Sequence, residues 1–233
     1  MKILALDSSA KSASVALVED EKLLGEFYVN IGLTHSQTLV PMVSNLLSIC
    51  SISPDSIDLF AVNTGPGSFT GVRIGVAAIK GMAMKNNSPC VGVSTLECIA
   101  NSLIDTNCIA CAVMDARCNQ VYNANFMVEN GSIKRLNGDR AIEIDSLMDE
   151  LERYKNDNQK IIFVGDGADL CYNVLKDKKN VFLSHEGLKY QSAKNTAFLA
   201  KKAFLEGKSI NHTQLVPTYL RPILLSLIHI SEP

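Results

Sequence analysis

The chain opens with an unbroken apolar run, KILALD at residues 2–7, closed by the polar stretch SSAKS. Two more apolar runs follow, ASVALVED and LLGEFYV, separated by Glu21 and Lys22. Short apolar runs bounded by turn residues predict strands, and three in succession predict an antiparallel meander with its first loop at Asp7–Ser12. The period then changes. Leu39, Val43, Leu46 and Leu47 recur at helical spacing, and Thr34 with Gln37 three residues later predicts a capping box. DLFAVNT (58–64) returns to strand and runs into the glycine-rich GPGSFTG. A helix of about four turns is expected next, capped by Ser68 or Thr70. The strand CVGVS and a helix from Thr95 complete this stretch.

The same order then repeats. CIACAVMDARCNQVYNANFMVENGSIKR reads as strand, Asp115, turn, strand, the Asn130–Gly131 turn and strand. DSLMDELERYK is the following helix, with Asp145 as its cap. KIIFVGDGA is a strand entering a glycine turn, and AKNTAFLAKKAFLEG is another amphipathic helix. Two β-β-β-α-β-α halves, 1–105 and 106–224, predict an α/β protein with the duplicated domain of the actin-like ATPases (ASKHA, ribonuclease H-like). In that fold nucleotide sits between the halves.

The 233 residues carry 22 basic and 24 acidic side chains, a net charge of -2. That balance gives no footprint for nucleic acid, so a role on RNA is indirect or shared. There are seven cysteines and no apolar run long enough to span a bilayer, and the opening MKILALDSS is expected not to be a secretory leader, which points to a reducing, cytoplasmic setting. Cys108 and Cys111 form a CxxC inside an apolar strand, where positions three apart face opposite sides. They are expected to be core thiols rather than a metal or redox pair. Residues 225–233, LSLIHISEP, read as a translated sequencing adaptor and are expected to be non-native.

The candidate chemistry is sparse. Asp7, Ser8 and Ser9 are placed where a hairpin turn could hold a phosphate, and equally where an Asx-turn closes a hairpin. GPGSFTG lacks the lysine of a Walker A loop and the spacing of a dinucleotide fingerprint. Gly71 and Gly75 lie one helical turn apart, Ala78 continues their face and Met82 ends it. Glycine inside a helix costs up to about 1 kcal/mol relative to alanine, so this face reads as a close packing surface. Spacing alone leaves open whether it packs internally or on another chain. Arg73 is placed to reach the loop or a partner. His35, His185 and His212 have no partners at ligand spacing, so no metal site is expected.

At LALDSSAKSASVAL, THSQTLVPMV, AVNTGPGSFTGVRIG, GVSTLE, VMDARCNQVY and PTYLR, the chain resembles the TsaB (YeaZ) family. The resemblance implies a non-catalytic paralogue of TsaD. It implies a scaffold that binds TsaD, and with it the ATPase TsaE, for threonylcarbamoyl transfer to adenosine 37 of tRNAs reading ANN codons. It puts the TsaD surface on two helices: His35 and Leu39, then Gly67, Ser68, Phe69, Thr70, Gly71, Arg73, Gly75 and Ala78. A Gly75→Leu change is then expected to weaken that contact. A homodimer through the same surface is expected without TsaD, and tRNA is met only through the complex. ATP or ADP is expected, if anywhere, at the partner interface, with Asp7, Ser8 and Ser9 a degraded phosphate loop. Thr95 and Ile99 stand where TsaD carries its metal histidines, which disfavours a metallopeptidase and the old glycoprotease (M22) label. The alternative is an ATP-dependent small-molecule kinase of the same fold, for which Asp115 is the candidate carboxylate.

Overall fold

The computed structural model describes residues 1–32, 34–152, 159–175 and 179–221. The expected meander forms as β1 (Lys2–Asp7), β2 (Ala13–Glu19) and β3 (Lys22–Val29). Helix α1 (His35–Ile49) leads to β4 (Leu59–Gly65), α2 (Phe69–Met84), β5 (Cys90–Ser94) and α3 (Thr95–Ala100). The first sheet has the order β3-β2-β1-β4-β5, with β4 and β5 parallel to β1.

The second half begins with β6 (Cys108–Asp115), β7 (Gln120–Glu129), β8 (Ser132–Arg135) and β9 (Arg140–Glu143), then α4 (Ile144–Leu151). β10 (Ile161–Val164), α5 (Ala168–Leu175), β11 (Val181–Leu183), α6 (Glu186–Lys189) and α7 (Ala193–Leu205) complete it. Its path is β8-β7-β6-β10-β11, the first sheet's order repeated, with β9 added beside β7.

Period-two alternation sorts each sheet's side chains onto two faces. Leu4 and Leu6 of β1 join Val15, Leu17 and Val62 under α1 and α2. Ile3 and Ala5 point the other way, toward Ala193, Ala197 and Ala200 of α7. Ala5 is in register with Ala16 on one side and Ala61 on the other. This row of short side chains gives a flat bed for the alanine face of α7. In the second sheet, Ile109, Cys111 and Val113 pack beneath α4 and α5, while Cys108, Ala110 and Ala112 pack against α3. Cys108 and Cys111 are therefore buried on opposite faces, as strand geometry requires. The halves are also laced together. Helix α3 precedes the second half in sequence yet packs on its sheet, and α7 follows the second sheet yet covers the first.

Two predicted caps differ. Thr34 sits at the α1 N-cap, but its side chain makes no capping bond, so the capping box does not form. Only its backbone carbonyl serves, accepting from Gln37 N–H at 2.9 Å. Asp145 lies within the first turn of α4 rather than before it, and the N-cap is Glu143. Ser68 does cap α2, accepting from Gly71 N–H at 3.2 Å. The end of DSLMDELERYK and the stretch 225–233 lie outside the described residues.

Candidate interaction site and the closed hairpin turn

The turn after β1 is a packed structural element. Asp7 is 1% exposed. Its Oδ1 accepts from the Ser9 N–H at 2.7 Å and from the Ser9 hydroxyl at 2.8 Å, and its Oδ2 accepts from Asn63 Nδ2. Asn63 Oδ1 accepts in turn from Thr196 Oγ1 at 2.9 Å, which ties α7 into the network. Burial raises the Asp7 pKa to about 6, against the lowering pull of the Ser9 and Asn63 hydrogen bonds. Cys98, within 3.3 Å of Thr196 Oγ1, is pushed up to about 12, chiefly by burial.

The glycines of α2 explain how this turn is held. A Cβ on Gly71 would lie 2.0 Å from Ser8 O, and one on Gly75 would lie 2.5 Å from Ser8 Oγ and 3.2 Å from Val62 Cγ2. A Cβ on Gly67, at φ +154°, would lie 2.2 Å from Ser9 O. The missing side chains admit the β1–β2 turn of the same chain. Ser8 Oγ then donates to Gly71 O at 2.8 Å, and Ser68 N–H donates to Ser9 O at 2.7 Å. His35 joins them: its Nε2 donates to Ala10 O at 2.7 Å, and its Cδ2 sits 3.2 Å from the Gly71 Cβ position. The expectation that Gly71 and Gly75 present bare backbone to a partner is corrected here, because Ser8 already fills that space. Leu39 is likewise 1% exposed and belongs to the first core. Gly75→Leu would disrupt the fold before it tested any contact.

Asp7, Ser8 and Ser9 are buried and bonded to their own chain, so the turn lacks the free groups of a phosphate cradle. The matching turn of the second half is built differently. Asp115 is exposed and accepts from the Arg117 N–H at 2.8 Å, and its own N–H donates to Asp166 Oδ1 at 3.2 Å. Burial raises the Asp166 pKa. Gly165 and Gly167 serve close approach to β6: their Cβ positions lie 2.0 Å from Val113 O and 2.9 Å from the Met114 carbonyl carbon. Thr95 and Ile99 are fully buried, Ile99 in the core of the second sheet. Among the described residues no group of three or more His, Cys, Asp or Glu converges as a metal site.

The opposite side of α2 is open. Thr70, Arg73, Ala77, Gly81 and Met84 are exposed and recur every three or four residues, a single stripe along 16 residues of helix. A Cβ on Gly81 would meet nothing within 4 Å. On the neighbouring α1, Val40 is 58% exposed and Pro41 is exposed beside it. Arg73 is the one charged group of the α2 stripe and lies 3.6 Å over the Phe69 ring. Of the residues expected at an interface, Ser68, Thr70 and Arg73 are exposed, and Phe69, Ala78, Gly67 and His35 are half-buried. Ala77, Gly81, Met84 and Val40 share this exposed face and were not among the expected residues, although the 70-73-77-81-84 spacing was there to be read.

Two sheets of one repeated strand order, laced by exchanged helices, define an α/β chain of the actin-like fold class. Residues 31–225 match the family model described as TsaD: tRNA N6-adenosine threonylcarbamoyltransferase. The tRNA threonylcarbamoyladenosine biosynthesis protein TsaB of Bacillus subtilis is 30% identical over 95% of this chain and 94% of its own. The Escherichia coli protein of the same name is 31% identical over 95% of each. YeaZ from Pseudomonas aeruginosa superposes with a TM-score of 0.79 at 27% identity, covering 94% of this chain and 99% of its own. The chain belongs to the TsaB (YeaZ) family, whose role is in tRNA threonylcarbamoyladenosine biosynthesis. No helix among the described residues is long and apolar enough to cross a membrane.

Proposed function

We propose that this chain is the non-catalytic scaffold of a threonylcarbamoyl-transferring complex, docking TsaD through the exposed face of α1 and α2. The observation that carries the reading is the α2 stripe of Thr70, Arg73, Ala77, Gly81 and Met84, flanked by Val40 and Pro41. A surface with one charge across four helical turns suits burial against another apolar helix pair. The net charge of -2 favours meeting tRNA only through the complex, with adenosine 37 of ANN-reading tRNAs as the site of transfer. TsaE joins through TsaD, and the same face closes a homodimer when TsaD is absent. ATP or ADP belongs at the partner contact in this reading, since Asp7, Ser8 and Ser9 are committed to packing. A cytoplasmic setting accords with this work. The small-molecule kinase alternative gains no support from Asp115, whose carboxylate closes its own turn through the Arg117 N–H.

The test mixes the chain with TsaD of the same organism and reads mass by light scattering after size exclusion. A one-to-one complex is expected. Two folded proteins that elute separately would contradict the scaffold reading.

A further inference from the structure

The segment after α7 is long, irregular and well tied. Ile210 exchanges backbone hydrogen bonds with Cys90 at 2.9 Å each. Lys80 Nζ donates to Thr213 O at 3.3 Å and Leu215 O at 3.2 Å. Leu215 is 1% exposed in the first core. Thr218 N–H donates to Thr64 O at 2.7 Å, and Thr218 O lies 2.6 Å from where a Gly65 Cβ would stand. Every one of these partners belongs to the first sheet or its helices.

Tyr219 and Arg221 then part company. Tyr219 stays on the first half: its ring lies 5.0 Å from that of Phe69, and its hydroxyl accepts from Arg73 Nε at 2.7 Å. Two residues later, Arg221 crosses to the second half. Its Nη1 donates to Ala116 O at 2.5 Å and its Nη2 donates to Gln120 Oε1. Those residues bracket the β6–β7 turn, in which Arg117, Cys118 and Asn119 all have positive φ, at 65°, 53° and 56°. A run of three left-handed residues without glycine is disfavoured and persists only where its surroundings impose it. The guanidinium grips the residue before the run and the residue after it.

We infer that residues 215–221 form a clasp across the mouth between the two halves, with Tyr219 as its anchor on α2 and Arg221 as its pin on the β6–β7 turn. A planar guanidinium suits the pin because two of its N–H groups meet two acceptors in fixed geometry. Behind the clasp lies a cavity of about 320 Å³, walled by Pro66, Phe69 and Tyr122 on the body and by residues 218–221 on the strap. The strap therefore bridges the cleft rather than filling it, and beyond Leu215, which stays in the first core, residues 216–221 can lift without opening either core. The exchanged helices α3 and α7 already lace the two halves, and Ser94 Oγ donates across them to Asp139 Oδ2 at 2.6 Å; Arg221 adds the tie at the mouth.

Hydrogen exchange and spin-label distances on the full chain test this together. Arg221→Ala is expected to speed exchange of amides 116–121 at least about tenfold, with β1, β4 and β10 unchanged. Nitroxides on Leu170→Cys in α5 and on Met84→Cys in α2, in a Cys50→Ser, Cys118→Ser background, are expected to show a broadened distance distribution in the same variant. An unchanged turn overturns the inference. Exchange that quickens equally in both cores also overturns it, because Arg221 is then a general stabiliser. A loosened turn with an unchanged distance distribution overturns the clasp, leaving Arg221 a cap on one hairpin. Should Arg221→Ala fail to fold, Arg221→Lys keeps the cation, loses the two-pronged grip and is judged by the same outcomes.

Discussion

Asp7 ends β1 as Asp115 ends β6, at equivalent places in two sheets of the same strand order. Their surroundings have little else in common. Asp7 is sealed on the α7 face of its sheet and wired to Ser9 and Asn63, while Asp115 stands exposed beside a left-handed turn held by Arg221. The strand order is held by long apolar runs that any slip would expose. A turn residue answers only to what packs on it. The first turn received a glycine helix and became core; the second received a strap and stayed at the surface.

The largest effect separating the two turns is expected from Gly71→Ala. Its Cβ would stand 2.0 Å from a backbone oxygen of the first turn. Overpacking at such a site costs about 3 kcal/mol or more. Urea denaturation should show a large fall in the midpoint, or no folded protein.

Asp7 comes next. Its folded pKa of about 6 lies above the unfolded 3.8, so the folded state holds the proton more tightly. Stability from this group is full below about pH 4, is lost as pH rises through 6, and is flat above about pH 7. The difference between the wild type and Asp7→Asn in urea should change by about 3 kcal/mol across that window. A difference independent of pH would mean that Asp7 is not the buried acid described.

A smaller and opposite effect is expected at Gly81, where a Cβ has open space. Gly81→Ala should stabilise by about 0.5–1 kcal/mol, through helix propensity and a less free unfolded chain. Destabilisation there would erase the contrast between the buried and open faces of α2. The smallest effect is chemical. Cys118, in the second turn, is the exposed cysteine, whereas burial pushes the Cys98 and Cys171 thiols up to about 12. Brief alkylation of the native protein should modify Cys118 first, as peptide mass mapping would show.

Much of this was legible in the sequence. The apolar runs from Lys2 and from Cys108 announced two like sheets, because period-two burial leaves its mark on every residue of a strand. The glycine face of α2 was legible as a packing face. Its neighbour was not: spacing fixes which residues share a face and says nothing of what approaches it, and Ser8 stood 63 residues away in sequence. The Thr34–Gln37 pair had the right residues for a capping box, but the hydroxyl of Thr34 makes no capping bond. The strap could not be seen at all. PTYLR has no period, and its grip on Thr64, Arg73 and Ala116 depends on where distant segments fold.

The open face of α1 and α2 is proposed to dock TsaD, while the glycine face is internal. Titration calorimetry of TsaD against the wild type and Ala77→Arg tests it most directly, because Ala77 is exposed in the middle of the stripe. At least about a hundredfold weaker binding is expected, since a charge buried without a partner in an apolar contact is costly, with the urea midpoint unchanged. Equal affinity in a folded Ala77→Arg protein would contradict it.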